Sequence, residues 1–161
     1  MLHSFGGAGD GYFPISVLAI DEDGVIYGTT AEGGVLYNCG IVFSLTPPTL
    51  PGGVWSETIL HKFARGTEDG CRSYGGVVIG PGGVLYGDSV AGGASDDGVI
   101  YSLTPPGTPG GTWTFALLHS FTPSEGATAQ TPLVMNSSGV LFGTMSAGGA
   151  SGSGSVFAFE P

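Results

Sequence analysis

The three basic residues of this 161-residue chain lie within eleven residues of one another, among groups that can transfer protons; they are Lys62, Arg65 and Arg72. An arginine can hold a carboxylate or a phosphate through two parallel hydrogen bonds. With Asp88 or Asp69 as a general base and Tyr74 as an acid, Arg72 would complete the catalytic set of a lyase, isomerase or hydrolase. The simpler interpretation is that the three cations pair with Glu68, Asp69 and Asp88 and order this loop.

Two cysteines, Cys39 and Cys71, fall in segments that we expect on the same face of neighbouring repeat units. A disulfide between them would close a loop of about thirty residues and stabilise the fold by roughly 3 to 4 kcal/mol. Two alternatives stay open: both thiols are inert, or Cys71, close to Arg65 and Arg72, is a thiolate nucleophile. That nucleophile needs a histidine base, and His61 lies on a segment typical of scaffold.

Loops on one side of the expected scaffold carry groups that can bind a small molecule: Asp10, Tyr12, Arg65, Asp96, Asp97 and Glu125. Loops on a rigid β scaffold commonly hold binding residues. Carboxylates accept hydrogen bonds from hydroxyl groups, and aromatic rings can stack on a sugar. The aromatic candidates are Tyr12, Tyr37, Tyr74 and Trp55, although packing explains most of them. The pattern predicts a neutral or carbohydrate-like ligand.

Three histidines, His3, His61 and His119, occupy one position of an internal repeat. They would form a metal site only if their strand lined a threefold axis, and we expect that strand to be outermost. A structural histidine, hydrogen-bonded near the rim, is therefore favoured. The acidic run at residues 21–23 is expected to be a plain turn. No phosphate loop, zinc spacing or dinucleotide fingerprint is present, and we expect neither a metal nor a cofactor.

The charge balance, 13 acidic against 3 basic residues and a net charge of −10, disfavours nucleic acid and anionic membrane surfaces as partners. No apolar run approaches the roughly 18 residues of a membrane span, so membrane insertion is not expected. Few lysines with many glycines, serines and threonines are typical of a secreted or cell-surface protein, although no signal peptide is visible. The chain begins and ends inside a repeat, which fits either a piece of a longer array or an array that closes on itself.

The internal repeat fixes the architecture that must position these groups. A Leu-His-X-Phe motif recurs every 58 residues, at 2–5, 60–63 and 118–121. The copies, at about 2–59, 60–117 and 118–161, form a single repeat domain over 1–161. Within each copy the apolar residues alternate with a period of two, and no segment has helical periodicity. The sequence thus predicts an all-β protein with about four strands per copy.

Four antiparallel strands in a repeat of this length predict a β-propeller blade. The segment 2–5 belongs to the class of strand that ends each copy, so it would complete the last blade, in its own chain or in a partner. Three blades are few for a closed ring, and a second chain would complete a six-bladed one and remove exposed edges. A homodimer is therefore expected. The alternative fold is a β-trefoil, which also has three copies of four strands.

A known family shares the residues that carry this repeat. They are Tyr-Gly-Thr-Thr at 27–30, Gly33-Gly34, Ile-Val-Phe-Ser-Leu-Thr-Pro at 41–47, Trp55 and Leu-His-Lys-Phe at 60–63. Over essentially its whole length the chain resembles the bacterial tandem repeats called GloVer. The resemblance implies exported, often surface-anchored proteins with propeller-like arrays, and it implies no particular activity.

Three functions are compatible with these patterns. The leading hypothesis is an exported, propeller-type module that holds a neutral or carbohydrate-like ligand on its acidic loop face. The second is a small propeller enzyme with its site in the second copy, and the third is a structural repeat for surface assembly. A function shared by all copies would favour binding, whereas one privileged copy would favour catalysis.

Overall fold

The protein is all-β, as the sequence predicts. A computed structural model describes residues 1–7, 9–34 and 38–161, so Tyr37 lies outside the described residues. Strands account for 43% of the chain, and no α-helix occurs in the described ranges. Accordingly, no helix among those residues has the length and apolar character to cross a membrane.

The described strands are short and follow one another along the chain: β1 (Gly11–Tyr12), β2 (Ala19–Ile20), β3 (Ile26–Thr29), β4 (Glu32–Gly33), β5 (Ile41–Thr46), β6 (Ser56–Lys62), β7 (Gly70–Cys71), β8 (Val77–Ile79), β9 (Leu85–Asp88), β10 (Ala91–Gly92), β11 (Val99–Thr104), β12 (Thr114–Ser120), β13 (Ala127–Ala129), β14 (Val134–Met135), β15 (Leu141–Ala147) and β16 (Ser155–Phe159). A short 3₁₀ turn, Pro81–Gly83, precedes β9.

Three antiparallel sheets correspond to the three copies. Sheet 1 has the order β2-β3-β5-β6 and sheet 2 the order β8-β9-β11-β12. In sheet 3, β13 and β14 pair with one edge of β15, and β16 pairs with the other edge. Two small ribbons, β1-β4 and β7-β10, join the loop entering a sheet to the loop after its second strand. Both kinds of loop therefore lie on one side of the molecule, which we call the loop rim.

The glycine of the Tyr-Gly motif lies under an aromatic ring of the neighbouring strand. The cross-strand pairs are Gly28 with Phe43, Gly87 with Tyr101 and Gly143 with Phe157. A Cβ on Gly28 would lie 2.7 Å from Cζ of Phe43, well inside van der Waals contact. Glycine is therefore required at this position, so that the aromatic ring can lie flat on its sheet and fill the space between that sheet and the next sheet.

The sheets stand side by side, with sheet 2 in the middle. Val17 forms a parallel bridge with Gly76, and a Cβ on Gly75 would lie 2.5 Å from the carbonyl oxygen of Thr131. The innermost segments of neighbouring sheets are thus in contact. Two apolar clusters fill the space between the sheets, one joining sheets 1 and 2 and the other joining sheets 2 and 3. The described strands form no closed barrel, so the β-trefoil alternative, which is built on one, is wrong.

The N-terminal segment does not complete sheet 3 within this chain. Residues 2–5 contain no strand, and β16 pairs with β15 alone among the described strands. The ring of Phe5 instead packs edge-on against Phe43 at 5.0 Å. Phe63 meets Tyr101 at 5.2 Å in a similar edge-on way. The end of the outer strand of sheet 1 packs on sheet 2 in this way. The N-terminal segment therefore occupies the equivalent place on sheet 1.

A disulfide joins sheets 1 and 2 at the loop rim. Cys39 and Cys71 are bonded, with their Cα atoms 4.6 Å apart, and both residues are buried. The backbone N–H of Arg72 also donates to the carbonyl of Cys39 at 2.9 Å. Both cysteines are thus tied up in a crosslink, and neither is a free thiol that could serve as a nucleophile.

Removing this crosslink will destabilise the protein. The bond spans a sequence separation of 32, for which loop-closure entropy gives about 3 to 4 kcal/mol. The free energy of unfolding of the variant Cys39→Ala/Cys71→Ala, measured by urea denaturation, is expected to be lower by about that amount. An unchanged denaturation midpoint at unchanged slope would contradict the expectation.

Candidate functional site

A histidine–carboxylate pair holds the loop rim in the second and third copies. His61 Nε2 lies 3.0 Å from Oδ1 of Asp69, and His119 Nε2 lies 3.1 Å from Oε1 of Glu125. The backbone N–H groups of Ala64 and Gly70 also donate to Asp69. Each pair therefore ties the end of an outer strand to the loop that enters the next sheet, which is the structural role expected for these histidines.

Glu125 has a similar set of partners in the third copy. Its Oε2 accepts hydrogen bonds from the backbone N–H and the hydroxyl of Thr122, at 2.9 and 2.7 Å. These contacts from Thr122, together with the nearby His119, lower the pKa of the Glu125 carboxyl despite partial burial. The carboxylate is consequently charged at neutral pH and faces the rim.

The first copy departs from this pattern. His3 Nε2 lies 3.5 Å from Oδ2 of Asp10 and 3.6 Å from Oε2 of Glu57. Asp10 is buried, with 8% of the residue exposed. Burial raises the pKa of Asp10, but hydrogen bonds from the backbone N–H groups of Gly11, Gly6 and Gly7, and a further one from the Glu57 carboxyl, outweigh it and leave that pKa below its ordinary value.

Glu57 is a private feature of this copy. The equivalent residue on the next outer strand is Phe115, whose ring stacks on His61 with centroids 4.1 Å apart. Burial, and then the negative charge of Asp10, raise the pKa of the Glu57 carboxyl. Glu57 was not among the site residues predicted from the sequence; the signal available was a carboxylate at a strand position that is aromatic in the neighbouring copy.

Arg65 is engaged by Asp96 at the exposed edge of the second copy. Its guanidinium Nε donates to Oδ1 of Asp96 at 3.0 Å, and Nη2 makes a second bond to Oδ2. The same Oδ1 accepts the backbone N–H of Gly92. Arg65 therefore pairs with a carboxylate, but its partner is Asp96 and none of the three acids expected from the sequence. From this exposed position its side chain orders two loops.

Arg72 is exposed and follows the disulfide directly. Its φ angle is +62°, a left-handed conformation that is uncommon for non-glycine residues. Phe13 and Thr128, at the same repeat position, have φ angles of +55° and +65°. This backbone conformation therefore belongs to the repeat and does not mark a private catalytic strain at Arg72.

Asp88 lies in the interior, out of reach of a substrate. None of its surface is exposed, and neither carboxyl oxygen has a hydrogen-bond partner among the described residues. Burial raises its pKa to about 7. At the equivalent position of sheet 1, the hydroxyl of Thr29 donates to the carbonyl of Ser73 on sheet 2 at 2.6 Å.

Of the predicted catalytic residues, Asp88 is therefore buried and Asp69 is bound to a histidine, while Arg72 is exposed and Tyr74 is half-buried.

The predicted ligand-binding residues differ in how much of them reaches the surface. Tyr12 is 46% exposed. Arg65, Asp96 and Glu125 are exposed on the rim, whereas Asp10 is buried. Asp97 is half-buried, and its Oδ2 is buried without a hydrogen-bond partner in the described part of the chain. The aromatic candidate Trp55 packs against the apolar cluster of sheet 1.

A cavity of about 330 Å³ opens beside the histidine–carboxylate pair of the third copy. Its polar groups are His119 and Glu125, and its apolar wall includes the rings of Phe121, Phe157 and Phe159. A cavity of about 440 Å³ on the opposite side, lined by Tyr86, Met135 and Glu160, contains none of the predicted site residues. The smaller cavity is therefore where the rim offers both carboxylate and aromatic surface.

These features define an all-β protein of three repeated four-stranded units, crosslinked by one disulfide and tied at the rim by recurring histidine–carboxylate contacts. The sequence profile of the Gloeobacter/Verrucomicrobia repeat family matches residues 14–161, and the chain belongs to that family. The resemblance seen in the repeat motif is thus confirmed. No curated protein matches the chain.

The buried Asp88 will make stability depend on pH. Because its pKa is about 7 in the folded protein against 3.8 ordinarily, the folded state retains this proton while the unfolded state loses it. The contribution of Asp88 to the free energy of unfolding is fully present below about pH 4. It declines as the pH rises through 7, by on the order of 4 kcal/mol. Asp88→Asn should remove this part of the decline between pH 5 and 8, measured by urea denaturation.

The matched control is Asp23→Asn, an exposed turn residue. It is expected to keep the pH dependence of the unmodified chain. Equal pH dependence in Asp88→Asn and in the unmodified chain would show that Asp88 is not the titrating group.

Proposed function

We propose that this chain is an exported propeller-type binding module, which joins a second copy of itself and holds a neutral or carbohydrate-like ligand at the loop rim. The side-by-side sheets and the parallel bridge between Val17 and Gly76 support the interpretation of each sheet as a propeller blade. The observation that carries the binding function is the cavity beside His119 and Glu125.

Pairing with a second copy is supported by the two end faces of the stack. Ile100 of sheet 2 packs against sheet 3 and is fully buried, whereas Val156, its counterpart in sheet 3, is 79% exposed. The neighbouring Val134 is 64% exposed and Phe142 38% exposed. Sheet 3 thus presents outward the same kind of apolar face that the other two sheets bury against a neighbour.

The opposite end face belongs to sheet 1. Its cluster of Phe43, Leu45, Trp55 and Ile59 is equivalent to the face of sheet 2 that packs against sheet 1. Leu18 and Ile20 extend this face and are 56% and 65% exposed. Because the two end faces match the two halves of the internal interfaces, sheet 3 of one copy fits sheet 1 of another, and two copies would close a six-sheet ring.

The mass in solution tests this pairing. With a chain mass of 16.1 kDa, a dimer has about twice that mass, and light scattering on a gel-filtration peak is expected to find it. Val156→Glu places a charge in the end face and should yield the monomer mass. Leu50→Glu is the control, because Leu50 is 73% exposed on a loop away from both faces. A monomeric unmodified chain, or a dimer that tolerates Val156→Glu, would refute the pairing.

The composition of the rim cavity favours a polyhydroxyl ligand. A volume of about 330 Å³ is within the range of small-molecule sites. The charged Glu125 can accept hydrogen bonds from sugar hydroxyls, and the phenylalanine rings offer apolar faces to the sugar carbons. The net charge of −10 disfavours anionic ligands. On the rim of sheet 1, the exposed Tyr12 provides a further aromatic surface.

Substitution at the cavity tests the ligand class. If a glycan array or saturation-transfer NMR detects a sugar, Glu125→Gln and Phe159→Ala should each weaken its binding about fivefold or more, as expected for loss of roughly 1 kcal/mol. Leu50→Ala should bind as the unmodified chain does. Binding to no sugar, or equal binding by all variants, would contradict the proposal.

Export is supported by the disulfide between Cys39 and Cys71, because disulfides persist in oxidising compartments outside the cytosol. We therefore place the protein in the secreted or cell-surface class. A structural role in surface assembly is the second candidate function, and the apolar end faces favour it. The enzyme alternative loses support from the burial of Asp88.

A further inference from the structure

We propose that His3, Asp10 and Glu57 form a binding site for a divalent transition metal ion of the zinc type in the first copy. One nitrogen and two carboxylate oxygens of these residues lie within 4.8 Å of one another. This inference is independent of the ligand proposed for the rim cavity, and it concerns different residues.

The distances from His3 to the two carboxyl groups fit a shared ion better than direct hydrogen bonds. His3 Nε2 is 3.5 Å from Asp10 and 3.6 Å from Glu57, beyond the usual hydrogen-bond range of roughly 2.7 to 3.2 Å. Two ligands at about 2.1 Å from a tetrahedral zinc ion are about 3.4 Å apart. His3 is thus spaced from each carboxyl group as two neighbouring ligands of one ion would be.

Two atoms of the cluster are buried without a hydrogen-bond partner among the residues described. They are Nε2 of His3 and Oε1 of Glu57. Buried polar atoms are nearly always satisfied in folded proteins, because an unpaired one loses its hydrogen bonds to water and gains none in return. An ion coordinated by these side chains would satisfy the nitrogen and neutralise the carboxylate.

The other copies serve as internal controls for this arrangement. His61 contacts Asp69 at 3.0 Å, a normal hydrogen bond, and has the ring of Phe115 where His3 has Glu57. His119 likewise contacts Glu125 at 3.1 Å. Within the described residues, only the first copy combines the longer separation with a second carboxylate, so the extra residue is what distinguishes a metal site from a simple pair.

The charges of the cluster also call for a cation. Asp10 and Glu57 bring two carboxyl groups together beside His3 in a partly buried environment. The Oδ2 of Asp10 is held by the backbone N–H groups of Gly6 and Gly7, at 3.1 and 3.4 Å. Such outer contacts orient a ligating carboxylate and are typical of metal sites.

The type of ligand indicates the type of metal. One imidazole with two carboxylates suits Zn²⁺ and its neighbours in the first transition row, whereas Mg²⁺ and Ca²⁺ prefer oxygen ligands alone. Three protein ligands would leave a tetrahedral position for water. The ligands must be deprotonated, so binding should weaken as the pH falls.

Calorimetric titration of the tag-free, chelator-treated chain with Zn²⁺ tests the site. We expect one equivalent to bind, and Co²⁺ in its place to give the visible absorption of a tetrahedral complex. His3→Gln and Glu57→Gln should each weaken Zn²⁺ binding at least about tenfold, while His119→Gln, which alters the corresponding pair of the third copy, should leave it unchanged. Mg²⁺ should not compete at equal concentration.

Several outcomes would overturn the proposal. They are the absence of stoichiometric Zn²⁺ binding, equal affinity in Glu57→Gln, or an equal loss in His119→Gln, which would indicate nonspecific binding to histidines. Because Glu57→Gln preserves shape, its thermal unfolding by circular dichroism separates loss of the ligand from loss of the fold. Zn²⁺ should raise the melting temperature of the unmodified chain more than that of Glu57→Gln at the same Zn²⁺ concentration.

Discussion

The packing of one sheet's apolar face against the next is the interaction on which this structure depends. Each sheet is at most four strands wide and has apolar side chains on both faces, so it cannot bury them alone. The aromatic rings that fill the interfaces lie over glycines, and Tyr101 is fully buried between sheets 1 and 2 as a result. Repetition of the glycine and the ring explains why one motif recurs along the chain.

The loop rim follows from the same constraint. Stacking fixes the sheets, and the histidine–carboxylate contacts then fix the loops that run from one sheet to the next. Differences between copies, such as Glu57 in place of an aromatic residue, are consequently held on a nearly constant frame. Chemistry can vary at these positions without altering the scaffold, as is common for repeat proteins.

Much of the fold could be predicted from the sequence because its signals are local. The alternation around β6 and β12, and the turns at glycine, indicate strands whatever surrounds them. The burial of Asp88 could not be predicted, because it depends on sheet 3 covering that face. Glu57 was missed for a related reason: its partners His3 and Asp10 are about fifty residues away and meet it only when the N-terminal segment folds onto sheet 1. The segment 2–5 followed the repeat in sequence, but its contact with Phe43 places it on sheet 1.

The position of the disulfide divides the molecule unevenly. Cys39 and Cys71 link the first two sheets, while the third is held to the second by noncovalent packing. Local opening should therefore start from the C-terminal third, with the crosslinked pair of sheets persisting longest as a cooperative unit. In a protein exposed to proteases outside the cell, that gradient would make the final sheet the first to be trimmed and leave a resistant remnant.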